Sequence, residues 1–184
     1  MNFQAQVIPG LVLVEPKVFC DERGVFVKTF HEAIWREAGI HFVVQEEFYS
    51  TSRAGVLRGM HFQVPPQAHD KIVTCLHGAV LDVVVDLRVG SPTFGRWQSF
   101  DLSEDNRHVL FIPAGLAHGF LARTDGCLVH YKTSTMHSPE NDRGIRWDSF
   151  GMDWGEAAPL VSPRDAGFPA LAHFESPFIY RERA

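Results

Sequence analysis

Short apolar runs separated by turn formers dominate the chain. Leu11–Val14, Val25–Phe30, Val56–Phe62, Lys71–Leu76, Val80–Leu87, Trp97–Leu102, His108–Ile112, Gly119–Leu121 and Cys127–Thr133 read as strands. Between them stand Pro9-Gly10, Arg23-Gly24, Pro65-Pro66, His77-Gly78, Gly90-Ser91-Pro92, Pro113-Ala114-Gly115 and Asp125-Gly126, all strong turn signals. Only Glu32–Ala38 carries a helical pattern, with Gly39 as its stop. The C-terminal third is richer in proline and less regular. Many short strands with one helix predict an all-β sandwich or jelly roll with a few short peripheral helices, one domain over residues 1–184. Long antiparallel strands leave open edges, and a dimer that shares strands would cover them.

Successive side chains of a strand point to opposite faces. In Val56–Gln63 this sends Met60 and Phe62 to one face, and His61 and Gln63 to the other. One face reads as core, and the other is either wet or built to bind. In Ala79–Arg88, Asp82, Val84, Asp86 and Arg88 share a face, and two carboxylates there read as a solvated pair. Asp82 nevertheless sits in an otherwise apolar run, where a buried carboxylate needs a partner, and it is a candidate to orient a histidine. Tyr131 shares a face with Val129 and Thr133, and alone it reads as packing as readily as chemistry. Lys71 opens a strand, either as an exposed end or as a cation aimed between the sheets. His118 follows the Pro113-Ala114-Gly115 turn into another apolar strand.

Composition narrows the classes. Hydrophobic residues make up 45% of 184, enough for a substantial core, and 15 Phe, 15 Gly and 11 Pro suit short strands with tight turns. The net charge of −5, without a Lys/Arg run, excludes a phosphate-tracking nucleic-acid surface. No apolar run approaches the ~20 residues of a membrane span, and Met1–Gly10 has no leader pattern. Cys20, Cys75 and Cys127 form no CxxC and read as reduced thiols, so a cytoplasmic location is expected. Metal-binding jelly rolls carry His-x-His, an acid and a distant third His. Here His61 is followed by Gln63, Val64–Ala68 holds no acid, and His118 stands alone, so no metal is expected.

Several long stretches then carry a resemblance. PKVFCDERGVF, GVLRGMHFQVPP, DKIVTCLHGAVLDVVVDLRVGSPTFGRW, FIPAGLAHGFLA, YKTSTMHSPENDRGIRWD and LVSPRD, from about Ile8 to Asp165, are similar to the dTDP-4-dehydrorhamnose 3,5-epimerase family in order and spacing. The resemblance implies a cupin-type jelly roll and a homodimer, with no metal and no cofactor. It also implies an isomerase acting on a nucleoside-diphosphate 4-keto-6-deoxyhexose, in deoxysugar and cell-surface polysaccharide biosynthesis. His61 would be the general base, oriented by Asp165. Tyr131 would be the general acid, and Lys71 would steady an enolate oxygen. Arg23, Arg58 and His118 would contact sugar or diphosphate, with Phe19 and Phe26 near the ligand. The same motifs bring Gln63, Asp142 and Arg164 into the substrate-binding set.

Three positions of that surface depart from the family. Lys28 stands where an acid is usual, Phe48 where an amide is usual, and His137 where an aromatic ring stacks on thymine. Alternatives therefore stay open: a CDP- or GDP-linked sugar, epimerisation at one carbon, a 3,4-ketoisomerase, a metal-dependent relative, or a non-catalytic sugar-binding jelly roll.

Overall fold

A computed structural model describes residues 1–182; residues 183 and 184, part of the expected domain, lie outside the described residues. In chain order the strands are β1 (Asn2–Ala5), β2 (Val12–Glu15), β3 (Val18–Asp21), β4 (Gly24–Val27), β5 (Glu46–Ser52), β6 (Val56–Gln63), β7 (Lys71–His77), β8 (Ala79–Asp86), β9 (Trp97–Ser103), β10 (Val109–Ile112), β11 (Leu116–Ala122), β12 (Cys127–Thr133), β13 (Asp142–Gly144) and β14 (Leu160–Val161). Helix α1 spans Glu32–Glu37, α2 spans Pro163–Ala166, and Leu171–His173 forms a 3-10 turn. This is the expected all-β jelly roll with short peripheral helices. Among the described residues no helix is long and apolar enough to cross a membrane.

Two sheets face each other across a core. The first runs β1-β2-β10-β7-β12-β5; the second runs β13-β6-β11-β8-β9, with β14 parallel to β6. Val73, Leu110 and Val129 of the first meet Val80, Val84, Leu102 and Phe120 of the second. The opposite parity of β8, Leu81, Val83 and Val85, packs outward with Leu57, Met60 and Phe62 against Ile145, Trp154 and Phe178. With both faces covered, β8 loses its alternation and reads as one apolar run. Trp35 of α1 seals the outer face of the first sheet with Val14, Ile72, Val109 and Phe111.

Several expectations needed correction. The strand expected at Val25–Phe30 ends at Val27, because it pairs only with β3 in a separate hairpin. β5 escaped notice because EEFYSTS has no apolar face; it is an edge strand paired on one side only. β1, β3, β13 and β14 were too short for a periodic signal. Asp82 and Asp86 are not solvated; both are fully buried. Asp86 accepts from Arg88 Nε (2.8 Å), Arg88 Nη2 (2.8 Å), Ser91 Oγ (2.6 Å) and Thr93 Oγ1 (2.7 Å), a network that knots the turn after β8. Burial opposes ionisation of Asp86, but these donors outweigh it and hold its pKa below the usual carboxylate value. The three cysteines are free thiols.

Candidate active site

A cavity of about 290 Å³ opens between the sheets. Its shape depends on an irregularity in β6. His61 pairs with His118 and Arg58 with Phe120, so three residues on β6 span two on β11. That extra residue is a β-bulge, and it lets Arg58 and His61 line one cavity although simple alternation would separate them. The strands approach so closely here that a Cβ on Gly119 would stand 2.7 Å from the Arg58 carbonyl oxygen. Gly59, at φ 142°, adopts a backbone conformation that side chains disfavour.

His61 is oriented from outside the barrel. The chain re-enters at α2, where Ser162 caps the helix by accepting from the Asp165 amide (3.1 Å) and Pro163 occupies the first turn. This cap turns buried Asp165 toward β6. Its Oδ1 lies 2.8 Å from His61 Nε2, and its Oδ2 accepts from the Gly59 amide at 3.0 Å. Burial works against the charged carboxyl, but the His61 and Gly59 donors prevail and keep Asp165 below its ordinary pKa. An ionised carboxylate only accepts, so the His61 proton sits on Nε2 and the Nδ1 lone pair is free. The His61 side chain is 31% exposed, toward the cavity.

A second histidine–carboxylate pair lies next to the first. Buried His118 Nε2 is 2.7 Å from Asp82 Oδ2, so the partner suggested for Asp82 is His118. Burial raises the Asp82 pKa, opposed by His118 and Lys71. Lys71 is buried and donates to the His61 carbonyl at 3.1 Å. Burial lowers its ammonium pKa to about 8, against the pull of Asp142 and Asp82. Tyr131 lines the opposite wall from β12, 8% exposed, and burial raises its phenol well above the usual value.

The cavity collects Phe48, Arg58, His61, Gln63, Lys71, His118, Tyr131, His137, Asp142 and Arg164 of the expected set, with Asp165 behind His61. Arg58 donates through Nε to Ser52 Oγ and through Nη2 to the Thr51 carbonyl, both at 3.0 Å, tying β6 to β5. The Gln63 amide is taken up by protein: its NH2 donates to the Gln67 carbonyl (2.9 Å) and its oxygen accepts from the Ser138 amide (2.6 Å). Arg164 pairs with Asp142 at 2.6 Å on the rim, and Glu46 accepts from the His137 amide. Phe19, Arg23, Phe26 and Lys28 are not brought in. They lie on or just after the β3–β4 hairpin, which pairs with neither large sheet, and all four are exposed.

Glu46, Ser50, His69 and Thr133 also line the cavity and were not anticipated. Strand parity could have found three of them: Thr133 shares a face with Tyr131, and Glu46 and Ser50 share one with Phe48. His69 sits in a loop without a periodic signal. Burial and the nearby charges of Lys71 and His137 push its pKa down to about 3, so it stays neutral. Among the described residues no cluster of three or more His, Cys, Asp or Glu side chains is placed to hold a metal ion.

Comparison with known proteins agrees with this geometry. The sequence model of the dTDP-4-dehydrorhamnose 3,5-epimerase family matches residues 5–173. A dTDP-4-dehydrorhamnose 3,5-epimerase of Methanothermobacter thermautotrophicus is 47% identical over 150 residues, 80% of each chain. The dTDP-6-deoxy-D-glucose-3,5-epimerase of Legionella pneumophila, solved with dTDP-4-keto-L-rhamnose, superposes with TM-score 0.92 at 35% identity, covering 100% of this chain and 99% of that one. A 3'-monoepimerase of Streptomyces bikiniensis, solved with dTDP-quinovose, gives TM-score 0.88 at 34% identity, covering 92% and 87%. By this match along nearly its whole length, and by the fold and cavity that accompany it, the chain belongs to the dTDP-4-dehydrorhamnose 3,5-epimerase family.

Proposed function

We propose that this chain is an isomerase acting on a nucleoside-diphosphate 4-keto-6-deoxyhexose. The reaction is of the type that converts dTDP-4-dehydro-6-deoxy-D-glucose into dTDP-4-dehydro-L-rhamnose, by loss and return of protons at C3 and C5. One observation carries the reading: a carboxylate-directed imidazole on one wall, a buried phenol on the facing wall, and a buried ammonium beside them. A carbon next to a ketone loses its proton as an enolate. His61 Nδ1 takes that proton. A positioned base is worth about 10²–10⁴ in rate. The Lys71 ammonium stabilises the charge that develops on the ketone oxygen, in a site where water is scarce. Tyr131, kept neutral by burial, gives its O–H proton to the opposite face of the carbon, which inverts it. His61 then releases the proton it took to solvent while solvent returns one to the Tyr131 phenolate, which restores both groups with no net change in protons. Arg58 and Arg164 offer guanidinium forks to the diphosphate.

We further propose that the working form is a homodimer in the cytoplasm, with the β3–β4 hairpin of one copy completing the cavity of the other. Phe19, Val25 and Phe26 are 50%, 52% and 60% exposed on a hairpin that packs in neither sheet, which favours a second copy as their cover. Lys28, next to the hairpin, would then reach substrate across the interface.

The test is incubation with dTDP-4-dehydro-6-deoxy-D-glucose in D₂O. Deuterium should enter C3 and C5, and His61→Ala should abolish the exchange. Exchange that survives in His61→Ala would remove the base assignment. Inversion at a single carbon is the second reading, supported by the likeness to a 3'-monoepimerase and by Phe48 in the cavity wall. NMR of the product separates the two, and the position of its carbonyl excludes or reveals a 3,4-ketoisomerase.

A further inference from the structure

The segment that carries Asp165 to His61 carries a second group with it. Two residues beyond α2, Phe168 meets the His61 ring at 78° between planes and 5.8 Å between centroids. An edge-to-face pair of this kind favours one mutual orientation of its rings. Phe168 is itself held from several directions. Its ring packs so closely on Gly144, the β13 residue that pairs with His61, that a Cβ there would stand 2.3 Å from Phe168 Cε2. The Arg164 guanidinium lies over the ring, 5.3 Å from its centroid, and is tethered in turn to Asp142. The next residue, Pro169, accepts from the Arg146 amide at 2.8 Å. Phe168 is half-buried and does not line the cavity.

We infer that Phe168 is a positioning residue that fixes the plane of the His61 imidazole and thereby sets the rate of proton removal. The inference rests on the reading of His61 as the base. Asp165 holds the imidazole at one atom, Nε2. That bond limits where the ring ends, but it restrains little of the turning about Cβ–Cγ, a torsion that is soft for histidine. The same turning swings Nδ1. A second ring packed edge to face on the imidazole removes this freedom, so Nδ1 stays directed at the carbon that loses its proton. A displacement of ~1 Å can cost a reacting group about 10²-fold. Phe168 acts through His61 and touches no reacting atom.

The experiment follows deuterium exchange into dTDP-4-dehydro-6-deoxy-D-glucose in D₂O across a range of substrate concentration. It compares wild type, His61→Ala, Phe168→Ala, Phe168→Leu, Gly144→Ala and the double variant Gly144→Ala/Phe168→Ala, with thermal melts confirming that each is folded. Phe168→Ala should lower the saturating exchange rate by about 10-fold, with a much smaller change in KM. Phe168→Leu keeps most of the apolar volume and should lose less. Gly144→Ala retains the ring but displaces it, and should lower the same rate. In the double variant the Cβ at position 144 has no ring to displace, so exchange should be no slower than in Phe168→Ala alone. An unchanged saturating rate in Phe168→Ala overturns the inference. So does a loss confined to KM, which would mean that the ring works through Arg164 and the bound diphosphate. Losses that multiply in the double variant also overturn it, because they assign Gly144 and Phe168 separate routes to the base. If exchange survives in His61→Ala, the base assignment fails and the inference fails with it. If His61→Ala abolishes exchange and Phe168→Ala does not slow it, only the inference fails.

Discussion

Lys71 is the side chain whose surroundings most constrain the chemistry. Its ammonium, buried and lowered to about 8, is charged at neutral pH and discharges just above it. The phenol of Tyr131 is shifted the other way, so it does not titrate in that window. kcat/KM should therefore fall about 10-fold per pH unit above about 8, and Lys71→Arg should carry this limb beyond the measurable range while lowering the maximum. Stability should move in the opposite direction. Between about 8 and the unfolded value of 10.5 the unfolded chain binds the extra proton, so this site's contribution to stability rises with pH. A pH–rate profile combined with denaturant midpoints checks both signs. Sequence alone left Lys71 as either an exposed end or a buried cation, because the first residue of a strand carries no information about its cover. Alternation did place Met60 and Phe62 opposite His61 and Gln63. It could not place Arg58 beside His61, since three residues is the wrong parity until the bulge is known.

Among elements, the β6–β11 pair carries the site, and its closeness is what glycine at 119 permits. A Cβ there would meet Met60 Sδ at 2.6 Å and the Arg58 carbonyl at 2.7 Å. The sulfur can swing away, but the backbone oxygen cannot. Gly119→Ala should cost about 1–3 kcal/mol by denaturant titration. It should also reduce kcat, because the bulge that brings Arg58 and His61 to one wall must open. β5 was illegible for a related reason: an edge strand whose outer positions meet solvent need not alternate apolar and polar residues. Yet it supplies Phe48 and Ser50 and receives both hydrogen bonds of Arg58. The strands that alternation could find build the core, and several it could not find build the rim.

At the scale of the whole molecule, the resemblance foresaw the jelly roll, and of the residues it named, His61, Lys71 and Tyr131 line one cavity with Asp165 behind His61. The hairpin residues Phe19, Arg23 and Phe26 lie outside the cavity of a single chain and are exposed, and in the proposed dimer a second copy covers them. Light scattering should give about twice the monomer mass of 20.7 kDa. Phe26→Asp should lower the dimer fraction and raise KM together, whereas a monomer with full activity would refute the shared-site arrangement. Burial of exposed aromatic side chains at an interface makes such a charge substitution costly there and cheap in an isolated chain.

The carboxylate that directs His61 belongs to none of the strands; it arrives 104 residues later on a four-residue helix. Walls and reactivity are thus written in separate stretches of the gene. On the proposed mechanism, a single codon change at Asp165 silences turnover while the strands that wall the cavity keep their sequence. Descent within such a lineage can leave receptors where there were once catalysts, outwardly alike and told apart only by what stands behind one imidazole.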